Sequence, residues 1–368
     1  MEATQKKKML TLPQNSIRII RLVAALLLLA LIILRAINVA AESQFGADTW
    51  LRLSFSGLII GGMYALIAIG YTLVYGILFM INFAHGEVMM IGTFGGYFAF
   101  EVFNAIQIPG ADGSQTSFMN SFPVIAILLA FLIGMVISAL SGYFLERIAY
   151  RPLRGAPRLV PLISAIGASI FLQNAGQLLF GPQRRQYINP IILERGIGWN
   201  LKVAGSTVVL TYTGVFSLVL SAILMIALYL LVQRTKLGRA MRAVAQDKKT
   251  AALMGINVDQ IISRTFVISG ALAGAAGVMW GIHNGLFNYF VGFIPGIKAF
   301  TAAVLGGIGN IPGAMVGGMF LGIVESLGPA ILGIDFQLKD VIAFTILILV
   351  LIFRPSGILG EALSEEKV

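Results

Sequence analysis

The sequence predicts an all-α protein that crosses a membrane several times. Of its residues, 58% are hydrophobic and only 11% are charged, whereas soluble domains carry about 25% charged residues. Apolar stretches long enough to span a bilayer alternate with short basic stretches, as the positive-inside pattern requires. The 42 glycines favour close helix packing and interrupted helices. We therefore expect a polytopic membrane protein of about eight to nine transmembrane helices, with broken or re-entrant segments.

The composition also argues against several kinds of site. The chain has no cysteine, so disulfides and thiolate metal sites are excluded. With only two histidines, His85 and His283, we expect no metal site either. The net charge of +10 follows from basic loops beside the spans, so we expect contact with membrane lipids and no nucleic-acid binding. The pattern GxxxxGK[ST] does not occur, so this chain is not expected to bind ATP through a P-loop.

Residues 1–50 form an N-terminal extension with its own apolar run at 22–34. Basic residues between positions 6 and 21 precede this run, which places the N-terminus in the cytoplasm if the run is retained as a span. The small residues at 39–41 before Glu42 also resemble a signal-peptidase site, so a cleaved signal peptide is the alternative. In both cases Glu42 lies outside.

The basic residues indicate on which side of the membrane each of the remaining loops lies. Residues 101–121 contain no lysine or arginine and are therefore external, whereas 146–158 hold four arginines and are cytoplasmic. The loop 181–207 is basic, yet alternation places it outside, where it is a candidate contact for a soluble partner. The predicted spans are approximately 55–79, a run ending near 100, 123–145, 161–180, 211–232, 265–283 and 339–353.

The segment 234–264 is the longest polar stretch of one charge sign, with seven basic residues and two acids. Its apolar residues between 237 and 253 recur at the spacing of an amphipathic helix. Asp247 is placed to cap a second short helix, and Gly255 to end that helix in a left-handed turn. One interpretation is a basic helix resting on anionic lipid. The other is a docking element for a cytoplasmic motor protein.

The motif INFAHGE (81–87) is the most polar interruption beside a span. It places Asn82, His85 and Glu87 within six residues. One interpretation is a helix break that lines a transport pathway, since intramembrane ionisable groups face cavities or partners. The alternative is a short cytoplasmic turn in which Asn82 caps the next helix and Glu87 occupies its first turn. An intramembrane hydrolase would need a nucleophile or metal constellation that this motif lacks.

The motif GGIGNIPGA (306–314) separates two short apolar segments, 299–305 and 314–324. Neither reaches the roughly 20 residues that a full span needs. We expect a pair of half-helices that enters from outside and turns back at Gly306–Pro312. The alternative is that the glycines serve helix packing alone.

The motif SAIGASIFLQN (164–174) places four polar side chains in an apolar span. Ser164 and Ser169 are expected to hydrogen-bond to their own helix. Gln173 and Asn174 are better candidates for a polar lining.

At these motifs the chain resembles the integral membrane permeases of bacterial ABC importers for branched-chain amino acids, most closely the H-type subunits. The resemblance covers residues 52–360 in family order, while the first 50 residues and the two long external loops are individual. We therefore expect a permease domain at 51–360, containing the coupling segment 234–264, and a cytoplasmic tail at 361–368. The segments that carry the resemblance are 70–92, 146–154, 164–174, 238–247, 254–259, 298–315 and 355–360.

The resemblance implies a multi-subunit importer in the bacterial inner membrane. This chain would pair with a second permease subunit, two cytoplasmic ATPase subunits and an extracytoplasmic substrate-binding protein. ATP would be bound by the partner subunits, with no cofactor in this chain. The candidate contacts with the ATPase are Arg239, Arg242, Gln246, Asp247 and Gly255. The candidate residues of the substrate pathway are Asn82, His85, Glu87, Gln173, Asn174 and Thr301.

Two alternatives remain at this point. Related permeases import urea or short amides, so the resemblance identifies the class of transporter more firmly than it identifies the substrate. A self-sufficient channel or an ion-coupled carrier is a different class altogether. A carrier would show acids in mid-span, for which Glu87 and Glu325 are the plausible candidates, and a channel would conduct without partner ATPases.

Overall fold

The computed structural model is all-α, as the sequence predicts. It describes residues 30, 31, 34, 35, 37, 38, 45–109, 115–157, 159–203, 205–354 and 356–360. The predictions for the apolar run 22–34, for signal-peptide cleavage and for the tail 361–368 fall on stretches that lie wholly or mostly outside these residues.

Within the described residues, helices carry nearly all of the architecture. They are α1 (Ala47–Leu78), α2 (His85–Ala105), α3 (Phe118–Ser121), α4 (Pro123–Leu145), α5 (Leu159–Phe180), α6 (Tyr212–Arg234), α7 (Lys236–Gln246), α8 (Lys248–Leu253), α9 (Val258–Asn284), α10 (Phe293–Gly306), α11 (Ile311–Leu332) and α12 (Lys339–Phe353). Short strands form three antiparallel pairs: β1 (Gln107–Pro109) with β2 (Gln115–Ser117), β3 (Arg185–Gln186) with β6 (Leu286–Phe287), and β4 (Gly198–Val203) with β5 (Ser206–Thr211).

Seven helical segments of the described chain are long and apolar enough to cross a membrane. Helix α2 is more polar but has 21 residues, a length of roughly 31 Å at 1.5 Å per residue. It joins the inner end of α1 to the external loop 106–122, so it completes an eighth crossing. Helix α10 has only 14 residues. A polytopic α-helical membrane protein is therefore confirmed.

Helix α1 is the centre of the bundle. Its residues from Met63 to Val74 are all buried, and it contacts α6, α9, α10 and α11. Helices α4, α5, α6 and α12 surround this centre and present large apolar side chains outwards, among them Leu128, Phe171, Ile223 and Ile348. Helices that are apolar on nearly all sides suit a periphery covered by lipid.

Helices α1 and α11 meet through glycine. A Cβ atom at Gly322 would lie 2.3 Å from the Cα of Gly61, and a Cβ at Gly61 would lie 2.9 Å from the Cα of Met319. Real Cβ atoms do not approach backbone this closely, so the two helix axes can stay at this separation only without side chains at these positions. This is the small-residue packing that the glycine content of the sequence indicates.

The prediction of two half-helices around GGIGNIPGA is wrong for the second of them. Helix α11 runs unbroken for 22 residues from Ile311 to Leu332, passing through Pro329. Pro312 lies in its first turn, where proline is compatible with a helix. The glycines of α11 pack against neighbouring backbone instead of ending the helix. Of these two helices, only α10 is shorter than a full span.

The turn between α10 and α11 lies on the same face as α7. A cavity of about 390 Å³ there is lined by Phe79, Val232, Arg242 and Asn310, among others. Asn310 caps α11 through the amide of Gly313 and donates its side-chain amide to the carbonyl of Leu359 at 2.8 Å. The turn therefore reaches the cytoplasmic side and does not reverse within the membrane.

We predict that Gly322→Ala destabilises the protein by about 1–3 kcal/mol, because the added methyl group would collide with the backbone of α1. Thermal unfolding of the purified protein in mild detergent measures the effect. Gly167→Ala is the matched control, since no atom lies within 4 Å of a Cβ at that position. If both variants unfold at the temperature of the parent protein, the close α1–α11 contact is not required.

Candidate functional site

The INFAHGE motif forms a short connection between α1 and α2. Helix α1 ends at Phe79, whose φ of 55° lies in the left-handed region, a strained conformation for a bulky residue. The N-cap of α2 is Ala84 and receives no side-chain hydrogen bond, so the prediction that Asn82 caps this helix is wrong. Asn82 instead accepts a hydrogen bond from the hydroxyl of Tyr150 at 2.5 Å. The connection is a turn, as one interpretation held, but it is buried.

His85 lies deep in the protein, between α1 and α9. Its ring meets that of Tyr71 edge to face at a centroid distance of 4.8 Å, and its Nδ1 lies 3.5 Å from the hydroxyl of Ser269. Its Nε2 lies 2.2 Å from the position of a Cβ atom at Gly70. Only glycine at position 70 leaves room for the imidazole in this position.

Glu87 is buried in the first turn of α2, as predicted, and faces α5. One carboxylate oxygen accepts a hydrogen bond from Ser169 at 3.4 Å. The other oxygen, Oε2, has no hydrogen-bond partner among the described residues, and the same is true of Nε2 of Gln173, one turn further along α5. Ser164 similarly donates to the carbonyl of Ala149. The serines of α5 thus bond across helices, contrary to the expectation that they bond within their own.

The remaining pathway candidates are more dispersed. Asn174 is exposed on α5 and donates to the carbonyl of Ile170 in its own helix. Thr301 is buried in α10 and donates to the carbonyl of Ile297. The structure therefore brings Asn82, His85 and Glu87 into one region with α5, whereas the hydroxyl of Thr301 and the amide of Asn174 are occupied locally.

An ionic cluster joins four helices around the buried pair of Lys298 and Glu325, and the sequence identified only part of it. Nζ of Lys298 lies 2.8 Å from Oε1 of Glu325 and 2.5 Å from Oδ1 of Asp340. The hydroxyl of Tyr64 donates to the other oxygen of Glu325 at 3.0 Å, and Lys339 lies 3.4 Å from the same carboxylate. Lysine and glutamate on neighbouring apolar segments were the available signal. Tyr64 gave none, because it lies 261 positions before Glu325. Asp340 gave none, because the sequence does not show that α12 packs beside α10.

The segment 234–264 folds into α7, α8 and the start of α9, as predicted. Asp247 caps α8 by accepting the amide of Lys249 at 2.8 Å and the hydroxyl of Thr250 at 2.5 Å. These hydrogen bonds, from the Thr250 hydroxyl first and then the backbone amides, lower the pKa of Asp247. Gly255 has a φ of +82° with open space around it. Both predictions about these two residues are confirmed.

One face of this segment packs on the bundle and the other is free. Met241 and Val244 are buried, and Arg242 donates to the carbonyl of Val232 at the end of α6. Arg239 and Gln246 are exposed. Leu253 and Met254 are 88% and 79% exposed, which the amphipathic pattern missed, because it assigned Leu253 to the buried face. Adjacent exposed apolar and basic side chains are typical of a protein-binding surface.

The segment 234–264 contacts the end of α1, just before the INFAHGE motif. The ammonium group of Lys248 in α8 lies over the ring of Phe79 at 5.8 Å from its centroid, a cation–π distance. Partial burial, and next the charge of Arg154, lower the pKa of Lys248. The buried turn and the exposed surface are therefore neighbouring parts of one region.

Comparison with known proteins gives a consistent result. The family model described as "Branched-chain amino acid transport system / permease component" matches residues 53–351. The chain is 48% identical over 312 residues to the high-affinity branched-chain amino acid transport system permease protein BraD of Pseudomonas aeruginosa. It is 45% identical over 312 residues to the corresponding protein LivH of Escherichia coli. Each match covers 85% of this chain and 96% of the relative. No solved structure matches the chain.

We predict that Lys298→Met destabilises the protein by about 3–5 kcal/mol, because it leaves the buried carboxylate of Glu325 without its main partner. The double variant Lys298→Met, Glu325→Gln should recover part of this loss, since it removes both charges. Thermal unfolding of the two variants and the parent provides the comparison. A double variant no more stable than Lys298→Met alone would contradict the assigned ion pair.

Proposed function

Because this chain belongs to the permease family of branched-chain amino acid transport systems, we propose that it translocates branched-chain amino acids into the cytoplasm as a subunit of an ABC importer. The near full-length match to permeases of the high-affinity systems carries this proposal. The chain is a multi-pass protein of the bacterial inner membrane and a component of a multi-subunit transport system. Its permease domain comprises residues 51–360 in this proposal.

The proposed assembly supplies what this chain lacks. A second permease subunit completes the pathway, two cytoplasmic ATPases bind ATP, and an extracytoplasmic binding protein delivers the amino acid. The exposed residues of α7 and α8, including Leu253 at the end of α8, and Met254 after it are the proposed contact with one ATPase. Their mixed apolar and basic character supports docking onto a protein more than resting on lipid, since Asp247 and Gly255 build a defined turn there.

The proposed pathway passes the buried turn before α2. An amino acid carries an ammonium group, and the free oxygen of the Glu87 carboxylate is a suitable partner for it during transit. Further polar contacts are offered by Asn82 in the turn, His85 at the start of α2 and Gln173 on the neighbouring α5. Such contacts need hold the substrate only briefly, because the binding protein provides the affinity. No enzymatic reaction is proposed for this chain.

The ionic cluster argues against Glu325 as the coupling acid of an ion-coupled carrier, whereas Glu87 keeps one oxygen without a partner among the described residues and is tested by the uptake experiment below. A carrier needs an acid that can exchange its coupling ion, and Glu325 is instead neutralised by Lys298 and Lys339. Uptake by the reconstituted importer, with and without ATP, distinguishes the two classes, and leucine and urea as substrates distinguish the two substrate types. We expect ATP-dependent leucine uptake and no flux through this chain alone. Flux without ATPases would overturn the proposal.

We predict that Gly255→Val reduces ATP-dependent uptake, because a side chain at a φ of +82° costs roughly 1–2 kcal/mol and distorts the docking turn. Gly155→Val is the matched control on the same face, since it also has open space around it but no positive φ. Binding of leucine to the binding protein should be unchanged in both cases. Equal uptake and ATPase stimulation in both variants would remove this turn from the coupling surface.

We predict that Glu87→Gln and His85→Ala each lower the maximal uptake rate more than the apparent affinity, because the binding protein sets the affinity. Initial rates over a range of leucine concentrations separate the two parameters. Asn174→Ala is the control, since its exposed amide bonds only to its own helix. Unchanged rates in Glu87→Gln and His85→Ala would assign the turn a purely structural role.

A further inference from the structure

A cavity of about 740 Å³ lies at the outer face of the protein, where the loop after α5 covers the outer part of α2. This is the loop 181–207, which is basic although the alternation of the spans places it outside. It is fixed there by β3–β6 pairing and by a hydrogen bond from the amide of Ile191 to the side chain of Asn120 at 3.3 Å. The cavity is therefore built from ordered elements on the side that faces the binding protein.

Two consecutive residues of the lining carry opposite charges. Glu194 and Arg195 are both exposed, and neither forms an ion pair with any other described residue. Arg195 donates only a long hydrogen bond of 3.5 Å to the carbonyl of Tyr187. The carboxylate and the guanidinium thus both retain capacity for an external ligand.

Buried polar atoms of the same lining lack partners. The side-chain amide of Asn189 donates to the carbonyls of Leu193 and Ile282 at 3.0 and 3.1 Å, yet its Oδ1 accepts no hydrogen bond within the described chain. The hydroxyl of Tyr187, a residue that is 2% exposed, also has no partner there. Buried unpaired acceptors and donors are rare and destabilising, and a bound ligand is one way to satisfy them.

The rest of the lining is suited to an aliphatic group. Ile188, Ile191 and the ring of Tyr97 contribute apolar surface. The lining as a whole is more polar than apolar, so it suits a charged ligand with one aliphatic group better than an apolar ligand. The lining therefore combines a cation, an anion, an amide oxygen and a hydroxyl without partners in the described chain, and two aliphatic side chains.

We propose that this cavity is an outer binding site for the transported amino acid, distinct from the Glu87 turn. The proposal rests on the proposed function for the identity of the substrate. Arg195 binds the α-carboxylate as a charge-assisted pair, and Glu194 with Oδ1 of Asn189 binds the α-ammonium group. The branched side chain packs on Ile188 and Ile191. The permease thus holds the amino acid after the binding protein releases it.

The test is leucine binding by the assembled importer in lipid nanodiscs without binding protein and without nucleotide. Radiolabelled leucine is the probe, and the variants are Glu194→Gln and Arg195→Gln. Loss of one charge-assisted contact should weaken binding roughly ten- to hundredfold. Arg184→Gln is the matched control, because Arg184 is exposed on the same loop but does not line the cavity. It should bind leucine like the parent importer.

Ligand analogues test which charge each residue recognises. Leucinamide lacks the carboxylate, so Arg195→Gln should bind leucine and leucinamide alike, while the parent importer prefers leucine. Isocaproate lacks the ammonium group, so Glu194→Gln should lose the preference for leucine over isocaproate. This crossed pattern does not arise from misfolding, and an unchanged thermal transition of each variant confirms that the protein remains folded.

Three results would overturn the site. These are no leucine binding by the parent importer, unchanged binding in both charge variants, or a defect confined to ATPase stimulation by the binding protein. The last would identify the cavity as a protein-docking surface. ATP-dependent leucine uptake by the parent importer separates these results from a failure of the proposed function, since uptake can persist when the outer site is absent.

Discussion

The close contact between α1 and α11 is the constraint on which the rest of the structure depends. Because glycine faces backbone at Gly61 and Gly322, the two helices pack without intervening side chains. This separation places the hydroxyl of Tyr64 within hydrogen-bonding distance of Glu325. Glu325 then fixes Lys298 of α10 and, through it, Asp340 of α12. A peripheral helix with only Ala343 buried is thus attached to the centre by these charges as well as by partly buried side chains such as Ile346 and Val350.

The polar groups within the bundle fall into two kinds with different consequences. The cluster around Glu325 is mutually neutralised, and desolvation of such charges is tolerable only with complete pairing. It therefore fixes helix positions and has little capacity for a passing ligand. Glu87 has a weak partner on one oxygen and none on the other within the described residues. An incompletely satisfied carboxylate is costly to a fold, and function is the usual reason for keeping one.

Local features of the sequence predicted more than distant ones did. Asp247 and Gly255 were identified correctly, because caps and left-handed turns depend on residues a few positions apart. Gly307 and Gly309 of GGIGNIPGA do interrupt the helices, with φ values of 104° and 96°. Pro312, however, lies in a first helical turn and the glycines of α11 serve packing, so the second segment is a full helix. The length of α11 depends on its packing against α1, and the local sequence does not specify where α1 lies. The sequence could not predict that Tyr64 and Asp340 join the ionic cluster, because that also depends on how distant helices pack. Nor could it predict that Asn174 faces outwards although Gln173 beside it does not.

The exposed surface of α7 and α8 lies beside the buried turn before α2, and Phe79 links the two. Lys248 of α8 lies against Phe79, and Phe79 is held in a left-handed conformation that disfavours bulky residues. Three residues later, Asn82 accepts a hydrogen bond from Tyr150, which lies in the helical segment that follows α4, and His85 begins α2. A displacement of α8 therefore acts first on a strained residue at the end of the central helix. Relief of strain at Phe79 would move Asn82, His85 and Glu87 together, because they share one short turn.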